Sequence, residues 1–378
     1  MASPVADSYG CASGGVIAAG KVYWPAWRRA MAVGTWANPG SNTLGDLDPK
    51  LDPLVNPNYP GDAPWKGITG QVSVVSAWSG AAWDEATRSL YITGGGHGDY
   101  AGNEVYKWDA LTGAFARINK PSGAIGNTGT LNDGNDATNP CYFDGKPRSA
   151  HNYGNLQMVA GEFWNFQGSN YANGFGVRSA FKLVGSEFVR QTTRTFGSSY
   201  GMTIWDSARS RFLLISSGNG QPQWWKPSDD TLGQMAHWTN NDQQEAFGVY
   251  DSRRDIVLQF SRYVTCFKCD DTADAATITA SGTPPNWVTY TALGYPSRSS
   301  VVYDYANDRY LVWGNGASIY ILTPPTVGQN PLAATWVWSQ IDPAVGNSVT
   351  PTAAASNGTY GRFWHSPFLK CCGVVNST

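Results

Sequence analysis

The chain carries 378 residues with a formal net charge of −2 and only 14% charged residues, where soluble domains average about 25%. That balance gives no electrostatic reason to expect nucleic acid or an anionic membrane surface as a partner, and no apolar run approaches the roughly 18 residues of a membrane span. The start, MASPVADSYGCASGG, lacks a basic segment followed by an apolar core, so no secretory signal is expected there.

Residues 1–36 hold three apolar stretches that are candidate strands: Val16-Ile17-Ala18, Val22-Tyr23-Trp24 and 30–36. Residues 38–65, rich in Pro, Asp, Asn and Gly, exceed ordinary loop length and read as a long surface excursion. A four-stranded unit follows over 71–118, with VSVVSAW as the inner strand, then LYITGGG, EVYKWD and AFARI. Its Gly94-Gly95-Gly96 permits backbone conformations and close approaches that side chains forbid. A second excursion occupies 122–144, and further units are expected near 149–192, 199–240, 245–291 and 297–341.

Four of these units share a phrase, which the unit at 149–192 lacks. Trp83-Asp84, Trp205-Asp206, Tyr250-Asp251 and Tyr303-Asp304 each precede a short polar run and then an apolar strand. The steps from Asp206 to Asp251 and from Asp251 to Asp304 match the roughly 40–50 residues of one propeller blade. The step from Asp84 to Asp206 spans about two such blades. The unit at 149–192 fills it: Ser169-Asn170-Tyr171-Ala172 there parallels Gly98-Asp99-Tyr100-Ala101 in the first unit. The four aspartates are expected to hold turns by accepting bonds from backbone N–H groups, not to act in catalysis.

The prediction is an all-β fold, a single β-propeller over 1–378. Six blades of four antiparallel strands are expected, seven being the alternative count. The segments YGRFW at 360–364 and CCGVV at 371–375 supply half of the last blade. Residues within 1–36 are expected to complete it, so that pairing of N- and C-terminal strands closes the ring. Cys11 could then lie near Cys371 or Cys372. Cys266-Phe267-Lys268-Cys269 has the spacing of half a zinc site but no second half in the sequence.

The Gly-Gly turn, the later Tyr106-Lys107-Trp108 and the aromatic-Asp phrase resemble kelch repeats and the propeller of galactose-oxidase-like proteins. Ser76 to Asp84, with the run from Gly94 to Glu104, resembles a kelch-like group found in bacteria and their phages. The galactose-oxidase likeness implies copper held by tyrosines and histidines. The four histidines, His97, His151, His237 and His365, stand in none of the copper motifs. No cofactor is expected. Calcium is the metal for which oxygen donors are at hand, in Asn132-Asp133-Gly134-Asn135-Asp136.

Two sets of residues are candidates for binding. Trp224 and Trp225 lie between blade strands, where one indole of an extended pair can pack while the other is exposed to a sugar or protein. His97, Asp99, Tyr100, Asn103 and Glu104 form the densest polar group, suited to sugar binding or proton exchange, or to simple bracing of a loop. No hydrolase nucleophile motif is present. The functional expectation is a non-enzymatic virion component, on the tail or capsid exterior, that recognises other virion proteins or a host surface glycan. The alternatives are a carbohydrate-active hydrolase or lyase with a site over the propeller axis, and a secreted bacterial kelch-like binding protein.

Overall fold

The computed structural model describes residues 24–61, 65, 67–123, 139–171, 177–197, 201–215, 222–236, 245–261, 263–272, 274–284 and 300–376. They form a propeller-like ring of antiparallel sheets. Blade one consists of Ala81–Asp84, Ser89–Ile92, Tyr106–Asp109 and Ala114–Arg117, and blade two of Leu156–Val159, Glu162–Asn165, Phe181–Val184 and Glu187–Arg190. Blade three is Met202–Asp206, Arg211–Ile215, Gln223–Lys226 and Thr231–Gln234. Blade four is Phe247–Asp251, Ile256–Phe260, Val264–Lys268 and Ala275–Thr277. Blade five is Ser300–Asp304, Arg309–Trp313, Ile319–Thr323 and Thr335–Ile341, and Thr279–Gly282 adds a parallel strand to its outer edge.

The blade count differs from expectation: there are five blades, not six or seven. A two-stranded hairpin, Phe363–Ser366 with Cys371–Val374, fills the sixth position. Its first strand packs beside the inner strand of blade five, and the turn Tyr360–Arg362 packs against that of blade one. Pairing of terminal strands is also corrected within the described residues. Ala26–Ala30 is a short helix entered from Pro25, and 31–36 form no strand. Val16-Ile17-Ala18, Val22, Tyr23 and Cys11 lie outside the described residues.

The N-terminal segment instead grips the ring with side chains. The indole N–H groups of Trp24, Trp27 and Trp36 donate to the carbonyls of Phe368, Ala110 and Ala317, and Arg28 Nε donates to that of Leu369. These bonds join the hairpin, blade one and blade five. Removal of residues 1–36 is therefore expected to lower the melting temperature by several degrees or more, at about 2–4 °C per kcal/mol for a large domain. A truncated chain with an unchanged melt would show that the grip is not structural.

The repeated phrase makes the turn after each inner strand, all on one face of the ring. Residues 85–88, 207–210, 252–255 and 305–308 form these turns, each ending in a left-handed residue: Arg88, Ser210, Asp255 and Asp308. The preceding aspartate is buried and accepts backbone N–H bonds, from Ala86 to Asp84, Arg209 to Asp206, Arg253 and Arg254 to Asp251, and Asn307 to Asp304. The same turns bind neighbouring blades. Arg209 pairs with Asp255 of the next blade, Arg254 with Asp308, and the Tyr310 hydroxyl donates to Asp251 at 2.8 Å. At the hairpin, Glu85 of blade one accepts from Ser366 Oγ and Phe368 N.

VSVVSAW is not the inner strand. Ser73–Ser76 is a helical turn, stabilised by Ser73 Oγ donating to the Gly70 carbonyl, and the strand starts at Ala81. The described part of the 38–65 excursion runs along the outer edge of blade one. There Asn42 imitates a strand: its amide donates to the Phe115 carbonyl at 3.0 Å and accepts from Phe115 N at 2.7 Å, which blocks an edge that could otherwise template aggregation. Among the described residues no helix is long and apolar enough to cross a membrane.

Candidate functional site

The opposite face, where the inner strands begin, carries the loop between the second and third strands of blade one. Gly94 and Gly95 have φ of +120° and +96°, which glycine alone adopts without strain. A Cβ at Gly95 would meet Ser73 Oγ at 2.5 Å and Val74 N at 3.0 Å. The triple glycine thus lets this loop pass between the helical turn at 73–76 and the segment preceding blade two, where Gly95 N donates to the Ala150 carbonyl. That passage brings His97 against His151, their ring centroids 4.8 Å apart.

Asp99 lies beside the pair. One carboxylate oxygen is 2.9 Å from His151 Nε2, and the other accepts from Thr69 Oγ1 at 2.7 Å. His151 is buried, and burial holds its pKa down at about 4 despite the Asp99 contact, so its ring is neutral near pH 7. His97 is exposed and Asp99 half-buried. The Trp78 ring lies 4.8 Å from that of His151.

Below these groups the axis is stoppered. The Trp78 indole N–H donates to Glu245 Oε1 at 3.0 Å. Trp78 leads into blade one and Glu245 into blade four, on opposite sides of the ring, so their bond crosses the axis. Tyr153, which leads into blade two, packs edge-on to Tyr360 of the hairpin at 5.8 Å. The site therefore has a polar rim (His97, Asp99, Thr69) over an aromatic floor.

The remaining predicted residues go elsewhere. Tyr100 and Glu104 are buried, and Glu104 Oε1 accepts from the hydroxyls of Tyr100 and Tyr106 at 2.8 and 2.7 Å. Burial pushes the Glu104 carboxyl up. Asn103 ties the loop to Ser122 and to the Pro147 carbonyl. The parallel between 98–101 and 169–172 is architectural in its described part. Gly98 and Asp99 accept backbone bonds from 68–70, while Ser169–Asn170 pairs with Ala150–His151.

Trp225 is not an exposed platform. It is fully buried among Trp164, Phe166, Phe196 and Phe212 at the junction with blade two, and its N–H donates to Asp230. Trp224 points to the other sheet face, as period-two alternation requires, and is half-buried with Arg211 and Lys226 against its ring. It also covers Gly233, its cross-strand partner.

Cys266 and Cys269 are both buried but belong to core clusters on different sheet faces, so they do not form a shared metal site. Asp46, Asp48 and Asp52 accept local N–H bonds from Thr43, Lys50 and Leu54. Asn132-Asp133-Gly134-Asn135-Asp136 and His237 lie outside the described residues, and His365 lies on the hairpin. Among the described residues no three His, Cys, Asp or Glu groups gather as a metal site.

His151 was not among the residues singled out from sequence, because its partner Asp99 is separated from it by more than a blade's length. The available signal was positional: His151 shortly precedes the inner strand of blade two, much as Trp78 precedes that of blade one.

No protein-family model matches the chain, and no curated protein sequence matches it. Among solved structures, the chain is similar to the major Malassezia sympodialis allergen Mala s 1. That similarity has a TM-score of 0.45 at 10% identity and covers 72% of this chain and 80% of that one.

Proposed function

We propose that this chain is a kelch-like recognition propeller of a virion exterior, on tail or capsid, whose strand-start face binds a host surface glycan. The observation that carries the reading is the stoppered axis beneath a polar rim. The Trp78–Glu245 bond closes the centre and presents His97, Asp99 and Thr69 on a fixed floor. Imidazole, carboxylate and hydroxyl groups match the donor and acceptor pattern of sugar hydroxyls. The kelch likeness rests on the double-glycine turn and the aromatic-Asp phrase. The virion setting rests on the low charge and the phage resemblance.

The test is a glycan array with the purified chain, followed by calorimetry on a hit. His97→Ala is expected to weaken binding about tenfold, a loss of about 1.4 kcal/mol, with the melt unchanged. Binding should persist at about 0.5 M salt, because contacts that do not depend on opposite charges are little screened. An array without hits, together with capture of a virion protein on the same face, would move the reading to a protein partner. Failure to co-sediment with phage particles would favour the secreted bacterial alternative.

A second reading, a carbohydrate-active enzyme, has one observation in its favour. A histidine hydrogen-bonded to a carboxylate, as His151 is to Asp99 at 2.9 Å, is an arrangement that proton-transfer catalysis uses. Turnover of array hits that His151→Gln abolishes would establish it.

A further inference from the structure

Among the described residues the five blades each have four or more strands, whereas the sixth position has two. The space left beside them is a cavity of about 500 Å³ between the hairpin, the N-terminal segment and blade one. That volume lies within the range of sites that bind small ligands. Trp27, Trp36, Trp108, Phe115 and Trp364 all line it.

Trp364 carries the decisive feature. The residue is only 2% exposed, yet its indole N–H has no acceptor among the described residues. Its ring stacks on Trp83, with centroids 4.2 Å apart and planes 7° from parallel. The ring edge bearing Nε1 lies over Gly373, its cross-strand partner, which lines the same cavity. A Cβ at Gly373 would collide with that edge. The strand thus leaves a buried donor at the cavity wall, and such a donor is costly unless a ligand or water accepts from it.

We propose that this cavity is a saccharide site that takes one or two neutral pyranose rings. Indole faces stack on the C–H faces of a sugar ring, and a ring or hydroxyl oxygen accepts from Trp364 Nε1. Neutrality follows from the lining: Asp46 is the one charged residue among the described residues there, and no cation is available for an acidic sugar. The site is separate from the axial rim and does not rest on the function proposed for it.

The test uses the full chain and four neutral probes: cellobiose, maltose, lactose and N,N′-diacetylchitobiose. Binding is followed by the nitrogen–proton NMR signals of the tryptophan indoles. At least one probe is expected to shift the Trp364 signal in a saturable way. Trp364→Phe retains a ring against Trp83 but removes the donor, and should weaken that probe at least tenfold. Thr350→Trp, at an exposed position on the cavity rim, should block binding without disturbing the stacked pair, which keeps the test valid if Trp364→Phe fails to fold. No shift with any probe would overturn the proposal. So would binding that survives Thr350→Trp. A probe lost in His97→Ala but retained in Trp364→Phe and Thr350→Trp would support the axial site and overturn this one.

Discussion

Asp251→Ala is expected to destabilise the propeller by about 3 kcal/mol, within the range for breaking a buried charged network. Asp251 is completely buried. It accepts from the backbone of Arg253 and Arg254, from Arg254 Nη1 at 2.8 Å and from the Tyr310 hydroxyl at 2.8 Å. A turn aspartate judged from sequence alone would be worth only about 0.5–2 kcal/mol. The larger figure follows from the blade contact, because the substitution strands a buried tyrosine hydroxyl of blade five and removes one of two carboxylates from Arg254. Arg254 keeps Asp308, which holds the loss below the top of the range. Urea melts would measure it, with Asp229→Ala as a control. Asp229 accepts only local bonds, from Thr231, in an exposed turn, and its loss should shift the melt far less than that of Asp251. Equal losses for the two variants would refute a network role for Asp251.

Acid should loosen the strand-start face well before Asp308 on the other face protonates. Burial lowers the His151 pKa to about 4 in the folded chain, against about 6.5 when unfolded. Between these values the unfolded state binds the extra proton, so stability falls as pH falls from about 6.5 to about 4. The loss approaches 3 kcal/mol at the lower end. Asp308 behaves differently, because its bond to the Arg254 guanidinium holds its pKa at about 2. Its contribution is present above the ordinary carboxylate value and is lost only as pH drops from there toward 2. His151→Gln should therefore flatten the stability profile between pH 6.5 and 4 while leaving the steeper decline below pH 4. If wild type and variant show parallel profiles, the imidazole is not the group that titrates.

The candidate site was only partly legible in the sequence. His97 and Asp99 were visible as a polar cluster beside a triple glycine. Tyr100, Asn103 and Glu104 fell into the same cluster because sequence proximity cannot tell a rim residue from one turned inward. Here the tight loop before Tyr106–Asp109 sends Tyr100 and Glu104 into the core, where they bond each other. Trp224 and Trp225 were correctly set on opposite faces of a strand. Which face met solvent depended on neighbouring blades, whose aromatics enclose Trp225 and whose cations flank Trp224.

The sequence by itself determined the local grammar of this protein. The aromatic-Asp phrase specifies a turn whose aspartate binds the following N–H groups, and its spacing sets out successive blades, including the one within the double-length step. Both are short-range properties, fixed by backbone conformation and strand length. Only the tertiary structure decided the blade count, the stoppered axis and the His97–Asp99–His151 group. Each depends on contacts between distant segments: Trp78 reaching Glu245 across the ring, His151 meeting Asp99, and a sixth position left with two strands because the N-terminal residues described there grip it with side chains. The physical reason is closure. Strand pairing is local and legible, but where a ring of sheets meets itself depends on the packing of every blade together.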